Sequence, residues 1–271
     1  MKVVLFCGGF GTRIRDVSES IPKPMIPVGD QPILWHLMNY YSLQGHKDFI
    51  LCLGYKANII KQFFLSHHLR DFADDEAAGL DGDVQVLGDS QQDWRVTLLD
   101  TGLGRNIGER LCSVRNYLAG EEIFLANYSD GLADANLNEL IEIFKKSNKA
   151  VAFLAVRPSF SLHMVDFDHS GNVLGLRPTQ KADMWVNGGF FIMRQKVFDY
   201  IEPGEELVEA PFQRLIEDNQ LMAFKHESFW RPMDTLKDKQ VLEDLFEQGI
   251  MPWRLDTAPA SAGIAVPGGG L

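Results

Sequence analysis

Helix and strand signals that alternate along most of the chain predict an α/β protein, with a mixed, mostly parallel sheet flanked by helices and interrupted by β-hairpin insertions. Two further observations sharpen this. Val3-Val4-Leu5-Phe6 is an unbroken apolar run of the kind buried on both faces of a parallel sheet. It empties into Cys7-Gly8-Gly9-Phe10-Gly11-Thr12-Arg13, which puts bare backbone N–H groups at the sheet's carboxyl edge, where they suit phosphate oxygens.

The elements follow in order. Pro32 can open a helix whose Ile33, Leu34, Leu37, Met38 and Tyr41 share one side, ending before Gly45. Lys47 to Leu53 reads as the second strand, and Ala57 to Phe64 as a helix with Ile60 and Phe64 one turn apart. The adjacent His67 and His68 point in different directions on a helix and make a poor metal pair. Residues 71–92 are polar apart from Val84 to Leu87 and read as an insertion or flap. Trp94 to Gly102 is a strand and turn, and Ile107 to Tyr117 a helix. Glu122 to Ala126 is a buried strand, Leu137 to Lys146 a helix, Val151 to Val156 a buried strand, and Met164 to Leu176 a β-hairpin. Trp185 to Met193 is a strand interrupted by Gly188 and Gly189, as at a bulge or a close approach. Leu236 to Gln248 closes the ordered part as a helix.

Composition bounds the rest. With 271 residues and 45% hydrophobic content, the chain suits a single domain over 1–255; the Ala, Gly and Pro of 256–271 predict a disordered tail. A net charge of −11 argues against nucleic acid and anionic membrane as partners. A polyanionic substrate must then meet a local basic site or a divalent metal. Three widely spaced cysteines form neither a disulfide framework nor a metal site, and the N-terminal apolar run is too short for a signal peptide, so a cytoplasmic setting is expected.

The candidate chemistry sits in the turns. Laid on Gly9-Phe10-Gly11, the dinucleotide pattern puts Ile14 where its last glycine belongs, and no P-loop lysine follows. Arg13, Arg15 and Lys23 surround the loop with cations. Asp130 follows a buried strand at the ligand edge of the sheet, where it is either a turn residue or a metal ligand. Asp234 stands before the last helix and, taken alone, is its N-cap. Gly102 opens a glycine-rich turn able to approach a flat base, with Arg110 nearby as a base contact or an ordinary solvated helix residue. Asn187 suits sugar hydroxyls, though the glycine pair beside it is equally a packing device.

In order, Gly8-Gly9-Phe10-Gly11-Thr12-Arg13, Lys23-Pro24-Met25, Pro32 to His36, Val96 to Gly102, Ser129-Asp130-Gly131, Asn187 to Phe191 and Trp230 to Thr235 resemble the glucose-1-phosphate cytidylyltransferases, within the sugar-phosphate nucleotidyltransferases. The likeness covers about residues 1–254. It implies a Rossmann-like fold, with Mg²⁺ held by Asp130 and Asp234 and the triphosphate bound by Gly8, Gly9, Gly11, Thr12, Arg13 and Lys23. It further implies sugar contacts from Asn187 and Gly188, and a homo-oligomer, often a hexamer. The substrates so implied are a nucleoside triphosphate, CTP, and a sugar 1-phosphate, glucose 1-phosphate.

One motif departs. Where the family carries Glu-Lys-Pro before the Asn-Gly-Gly strand, this chain reads Leu176-Arg177-Pro178-Thr179-Gln180-Lys181, so Arg177 or Lys181 is expected to carry the sugar phosphate. Another sugar phosphate such as heptose 1-phosphate, another base, or a catalytically silent nucleotide-binding protein are the alternatives that this departure leaves open. A dehydrogenase reading rests on the glycine loop alone.

Overall fold

The computed structural model describes residues 1–9, 14, 20–68, 84–89, 93–159, 162–179 and 182–255. The first half holds β1 (Lys2–Phe6), the short pair β2 (Pro27–Val28) and β3 (Gln31–Pro32), α1 (Ile33–Leu43), β4 (Asp48–Leu53), α2 (Ala57–His68) and β5 (Val84–Asp89). Then come β6 (Trp94–Asp100), α3 (Ile107–Ser113), β7 (Ile123–Tyr128), β8 (Gly131–Ala133), α4 (Leu137–Lys146) and β9 (Val151–Val156). The hairpin β10 (His163–Phe167) and β11 (Val173–Pro178) follows, with β12 (Val186–Asn187), β13 (Phe191–Arg194), α5 (Ala210–Glu217), β14 (Leu221–His226), β15 (Trp230–Pro232) and α6 (Leu236–Glu247).

A nine-stranded sheet organises the described residues. β1 lies at its centre, parallel to β4 on one side and β7 on the other. β6 continues the parallel run beyond β4, and β5 closes that edge antiparallel. On the far side β13 lies antiparallel between β7 and β9, which makes β7 and β9 mutually parallel, and β14 adds parallel to β9. The fold class expected from the alternation is what forms: a mixed, mostly parallel sheet with helices on both faces.

The alternation of β1 explains the two layers. Val3 and Leu5 point into one apolar cluster with residues of α1, α2 and α4, while Val4 and Phe6 join the other with Leu111 of α3 and Phe212 and Leu215 of α5. A strand covered on both faces must be apolar throughout, which is why Val3 to Phe6 carries no polar position.

The glycines in the Asn187 strand are a bulge. Asn187 pairs with Ala155 and Ile192 with Ala152, so five steps along one strand answer three along β9, and two residues loop out. They are held there sterically. A Cβ on Gly188 would stand 2.8 Å from Val156, and Gly189, at φ +77°, would meet Asn127 Oδ1 at 2.4 Å.

Several boundaries differ from expectation. α2 runs on to His68. The helix expected over Ile107 to Tyr117 stops at Ser113 and tightens into a 3-10 turn at Arg115–Leu118. Within the expected flap, β5 is an edge strand paired with β6 from Trp94 to Leu99. α5 and β14 add to the expected elements: α5 is amphipathic but only eight residues long, with Phe212 and Leu215 buried, and β14 is a half-buried edge strand without clear alternation. The expected tail at 256–271 lies outside the described residues.

Candidate active site

Two parallel strands deliver the first carboxylate. Ser129 Oγ donates to Phe6 O at 2.8 Å, tying the end of β7 to the end of β1 beside the glycine loop. Asp130 comes next. A short ladder then fixes the second carboxylate against it: β15 pairs antiparallel with β8, Pro232 opposite Gly131, and Met233 N donates to Asp130 O at 2.8 Å. Asp234 is the next residue. It is not the cap of α6, because Thr235 takes that position, accepting from Asp238 N at 3.2 Å and closing a capping box with Asp238. The N-cap reading of Asp234 is thereby overturned.

Between the carboxylates stands Lys23. Its 3-10 turn, Lys23–Met25, is set by Pro22 and Pro24, with Met25 N donating to Pro22 O at 2.8 Å. Lys23 Nζ donates to Asp130 Oδ2 and to Asp234 Oδ1, each at 2.6 Å. The ammonium is 12% exposed and the carboxylates 25% and 35%, so the cluster opens to solvent on the carboxylate side. Burial opposes the charge on Lys23, but the two carboxylates outweigh it and raise the pKa above the usual lysine value.

Arg110 is not a solvated helix residue: it is 2% exposed and lies against the backbone of Gly8 and Gly54. Nη1 donates to Leu53 O at 2.9 Å and to Thr101 Oγ1 at 2.5 Å, and Nη2 to Gly8 O at 3.2 Å. Gly8 and Gly54 make room for it, since a Cβ on either would stand 2.1 Å and 2.9 Å from the guanidinium. The reason is geometric. Arg110 lies in the last turn of α3, which packs under β1, so its side chain runs inward beneath the strand ends. Burial holds its pKa below the usual arginine value.

On the other side of the carboxylates, Asn187 Oδ1 accepts from Gly189 N at 2.9 Å and Nδ2 lies 3.4 Å from the Tyr128 hydroxyl. Trp230 Nε1 donates to Gly188 O at 2.9 Å, locking the bulge to the ladder that carries Asp234. Gly9 is exposed with open space at its Cβ position, and Gly102 sits at φ +96° with its N–H on Asp100 Oδ1. Arg177 lies on the hairpin, 59% exposed and paired with Asp166 at 2.9 Å. Gly11, Thr12, Arg13 and Lys181 lie outside the described residues. Ser129, Tyr128 and Trp230 were not singled out from sequence; Trp230 shares a motif with Asp234 and offers an indole N–H that must find a partner.

This arrangement places two carboxylates, a lysine and the Gly8-Gly9 backbone at the carboxyl edge of a parallel sheet. The nucleotidyl transferase family model matches residues 2–238. The chain belongs to the nucleotidyl transferase family. Glucose-1-phosphate cytidylyltransferases of Salmonella typhimurium and Salmonella typhi are each 38% identical to it over 256 residues, 94% of this chain and 99% of theirs. A D-glycero-alpha-D-manno-heptose 1-phosphate guanylyltransferase of Campylobacter jejuni is 27% identical over 81% of this chain and 86% of its own. Among solved structures, HddC from Yersinia pseudotuberculosis superposes with a TM-score of 0.64 at 20% identity, covering 90% of this chain and 99% of that one, and shares the fold.

As a nucleotidyl transferase site, the donor set favours hard cations. Among the described residues no group of three or more His, Cys, Asp or Glu side chains converges, so a metal here depends on the two carboxylates and on oxygens from outside the protein. Mg²⁺ binds in that manner, through one or two carboxylates with water and substrate phosphates. The residues present fit it.

Proposed function

We propose that the protein joins CTP to glucose 1-phosphate, giving CDP-glucose and pyrophosphate, with Mg²⁺ held by Asp130 and Asp234. The observation that carries this reading is the convergence of Asp130, Asp234 and Lys23, in a chain whose cytidylyltransferase relatives align along almost their whole length. The phosphate of a sugar 1-phosphate is largely ionised near neutrality and needs no general base to attack the α-phosphorus. The chain's own part is position and charge. Backbone N–H groups of Gly8 and Gly9, with Gly11, Thr12 and Arg13, receive the triphosphate, and Lys23 neutralises charge at the reacting phosphorus. Asp130 and Asp234 would hold Mg²⁺, which would supply positive charge to stabilise the negative charge that develops as pyrophosphate leaves. Asn187 and Gly188 meet the sugar. Arg110 acts on the nucleotide indirectly, holding the carbonyl of Gly8 at the end of β1. Gly102, with its unusual backbone, is the base contact.

A second reading has one observation behind it. The sugar-phosphate motif is altered, and a heptose 1-phosphate guanylyltransferase is among the relatives, so the same chemistry on another sugar phosphate or base is the alternative. Four nucleoside triphosphates against a panel of sugar 1-phosphates, scored by pyrophosphate release, test both. CTP with glucose 1-phosphate should give the highest kcat/KM; a clear preference for another pair would replace the leading assignment. No helix among the described residues is long and apolar enough to cross a membrane. The reading extends to a cytoplasmic homo-oligomer, supported by the exposed hairpin considered below.

A further inference from the structure

The acceptor's charge has no assigned partner among the described residues. Arg177 is held by Asp166 on the neighbouring hairpin strand. The carboxyl edge of the sheet carries a different pair of cations. β7 and β9 run parallel, so residues just past the end of β9 stand on the same edge as Asp130 past the end of β7. Val186 pairs with Val156 and Asn187 with Ala155. One step further out, that register puts Trp185 opposite Arg157, on the sheet face that carries Asn187. Lys225 of β14 pairs with Ala155 from the other side and shares the same face.

The side chains meet as the register requires. Arg157 Cζ lies 4.0 Å from the Trp185 ring centroid and Lys225 Nζ 5.1 Å from it. Trp185 Nε1 donates to Asp183 at 3.1 Å, and Arg157 Nη1 donates to Ala182 O at 3.1 Å and to Asp183 at 3.0 Å. Trp185 is half-buried and joins neither apolar cluster, so the core does not require it. Asp183 and Glu227 balance Arg157, the latter only loosely at 3.7 Å. Lys225 is exposed and makes no ion pair among the described residues, and its charge is felt by Asp183, so two cations and two carboxylates balance on the rim beside Asn187, with Glu227 the most loosely held of the four.

We propose that Arg157 and Lys225, arrayed on the Trp185 ring, bind the phosphate of the sugar 1-phosphate. The inference rests on the nucleotidyl-transfer reading and assigns the part of that site the altered motif leaves open. A phosphate monoester brings nearly two negative charges. Arg157 offers Nη2 once Glu227 is displaced, and Lys225 offers a mobile ammonium. Trp185 fixes both and keeps water from one side.

The test is acceptor kinetics at saturating CTP, with calorimetric binding of glucose 1-phosphate to the full chain as a readout independent of turnover. Arg157→Ala and Lys225→Ala should each raise the acceptor KM and Kd at least tenfold, while the KM for CTP stays within about twofold and Arg177→Ala changes neither acceptor constant. Arg157→Lys should recover part of the loss. Lys225 is exposed, so its variant keeps the test valid if Arg157→Ala misfolds. Product formation with unchanged acceptor constants in both alanine variants overturns the subsite and leaves the transferase reading intact. Binding that is lost in the variants, in a wild type that makes no nucleotide sugar, upholds the subsite and overturns the reading. A wild type that binds and turns over none of the panel overturns both.

Discussion

The decisive residues act through one another. Lys23 bridges Asp130 and Asp234 at 2.6 Å each, so its ammonium stands where a divalent cation would neutralise the same carboxylates. Asp130→Asn and Asp234→Asn should each lower turnover at least about a hundredfold, because each removes half of the charged donor set, with the melting temperature little changed. Steady-state rates alongside thermal melts check this. Lys23→Met should lower turnover severely yet tighten Mg²⁺ binding to the nucleotide-free protein, since the competing cation is gone. Calorimetric Mg²⁺ titration reads this directly, and unchanged affinity would show that Lys23 and the metal do not share a site. Arg110 makes a different claim. Arg110→Lys cannot reproduce the fork that serves Gly8, Leu53 and Thr101, and each buried acceptor left without its donor costs about 1–3 kcal/mol. The variant should melt several degrees lower and bind all nucleotides more weakly, with the ranking of bases preserved. A changed ranking between CTP and UTP would mean that Arg110 reads the base itself.

The elements show why some of the site was legible and some was not. β1 is legible in the sequence because a strand buried on both faces leaves an unbroken apolar signature. Asp130 was placed by the same logic at the end of β7. Asp234 looked like a helix cap, since the identity of the cap depends on which oxygen actually meets the backbone, and Thr235 takes that role. The β8–β15 ladder has three residues a side, too few for periodicity, yet it sets the spacing between the carboxylates. The burial of Arg110 is not legible, because a helix of seven residues says little about which side faces inward. The cations of Arg157 and Lys225 stand on strands 68 residues apart by their numbers and come together only through the register of β9 with β12 and β14. Trp230 connects ladder and bulge, so Trp230→Phe should leave Gly188 O without its donor and loosen Asn187. The expected result is a several-fold rise in acceptor KM with CTP binding intact; equal loss toward both substrates would place the effect on the ladder instead.

At the scale of the molecule, two features reach beyond the site. His46 is 6% exposed with neither ring nitrogen hydrogen-bonded, and burial, with the N-terminal ammonium nearby, pushes its pKa down to about 4. The unfolded chain takes up this proton near pH 6.5 and the folded chain only near 4, so its contribution to stability is complete above about pH 6.5 and is lost as the pH falls toward 4. His46→Leu should therefore flatten the fall in melting temperature between pH 6.5 and 4, by an amount on the order of 2–3 kcal/mol. An unchanged slope would assign acid sensitivity to other groups. The second feature is the hairpin, which pairs only with itself. Its register puts Val165 opposite Leu176 and Phe167 opposite Val173 on one face, and these side chains, with Leu174, are 39–70% exposed. The opposite face carries the Asp166–Arg177 pair. A two-stranded hairpin is marginal alone in water, and this face gathers five exposed apolar side chains, the kind of contiguous patch that marks an interaction surface. Two copies joined through it would cover both patches at once, and a specific interface needs about 1,000 Å² in total. Light scattering on the eluted protein should thus show an oligomer, and Phe167→Glu with Leu174→Glu should dissociate it while the melting temperature of the subunit holds. A wild type that elutes as a monomer at micromolar concentration, or a double variant that still assembles, would put the hairpin outside the subunit interface.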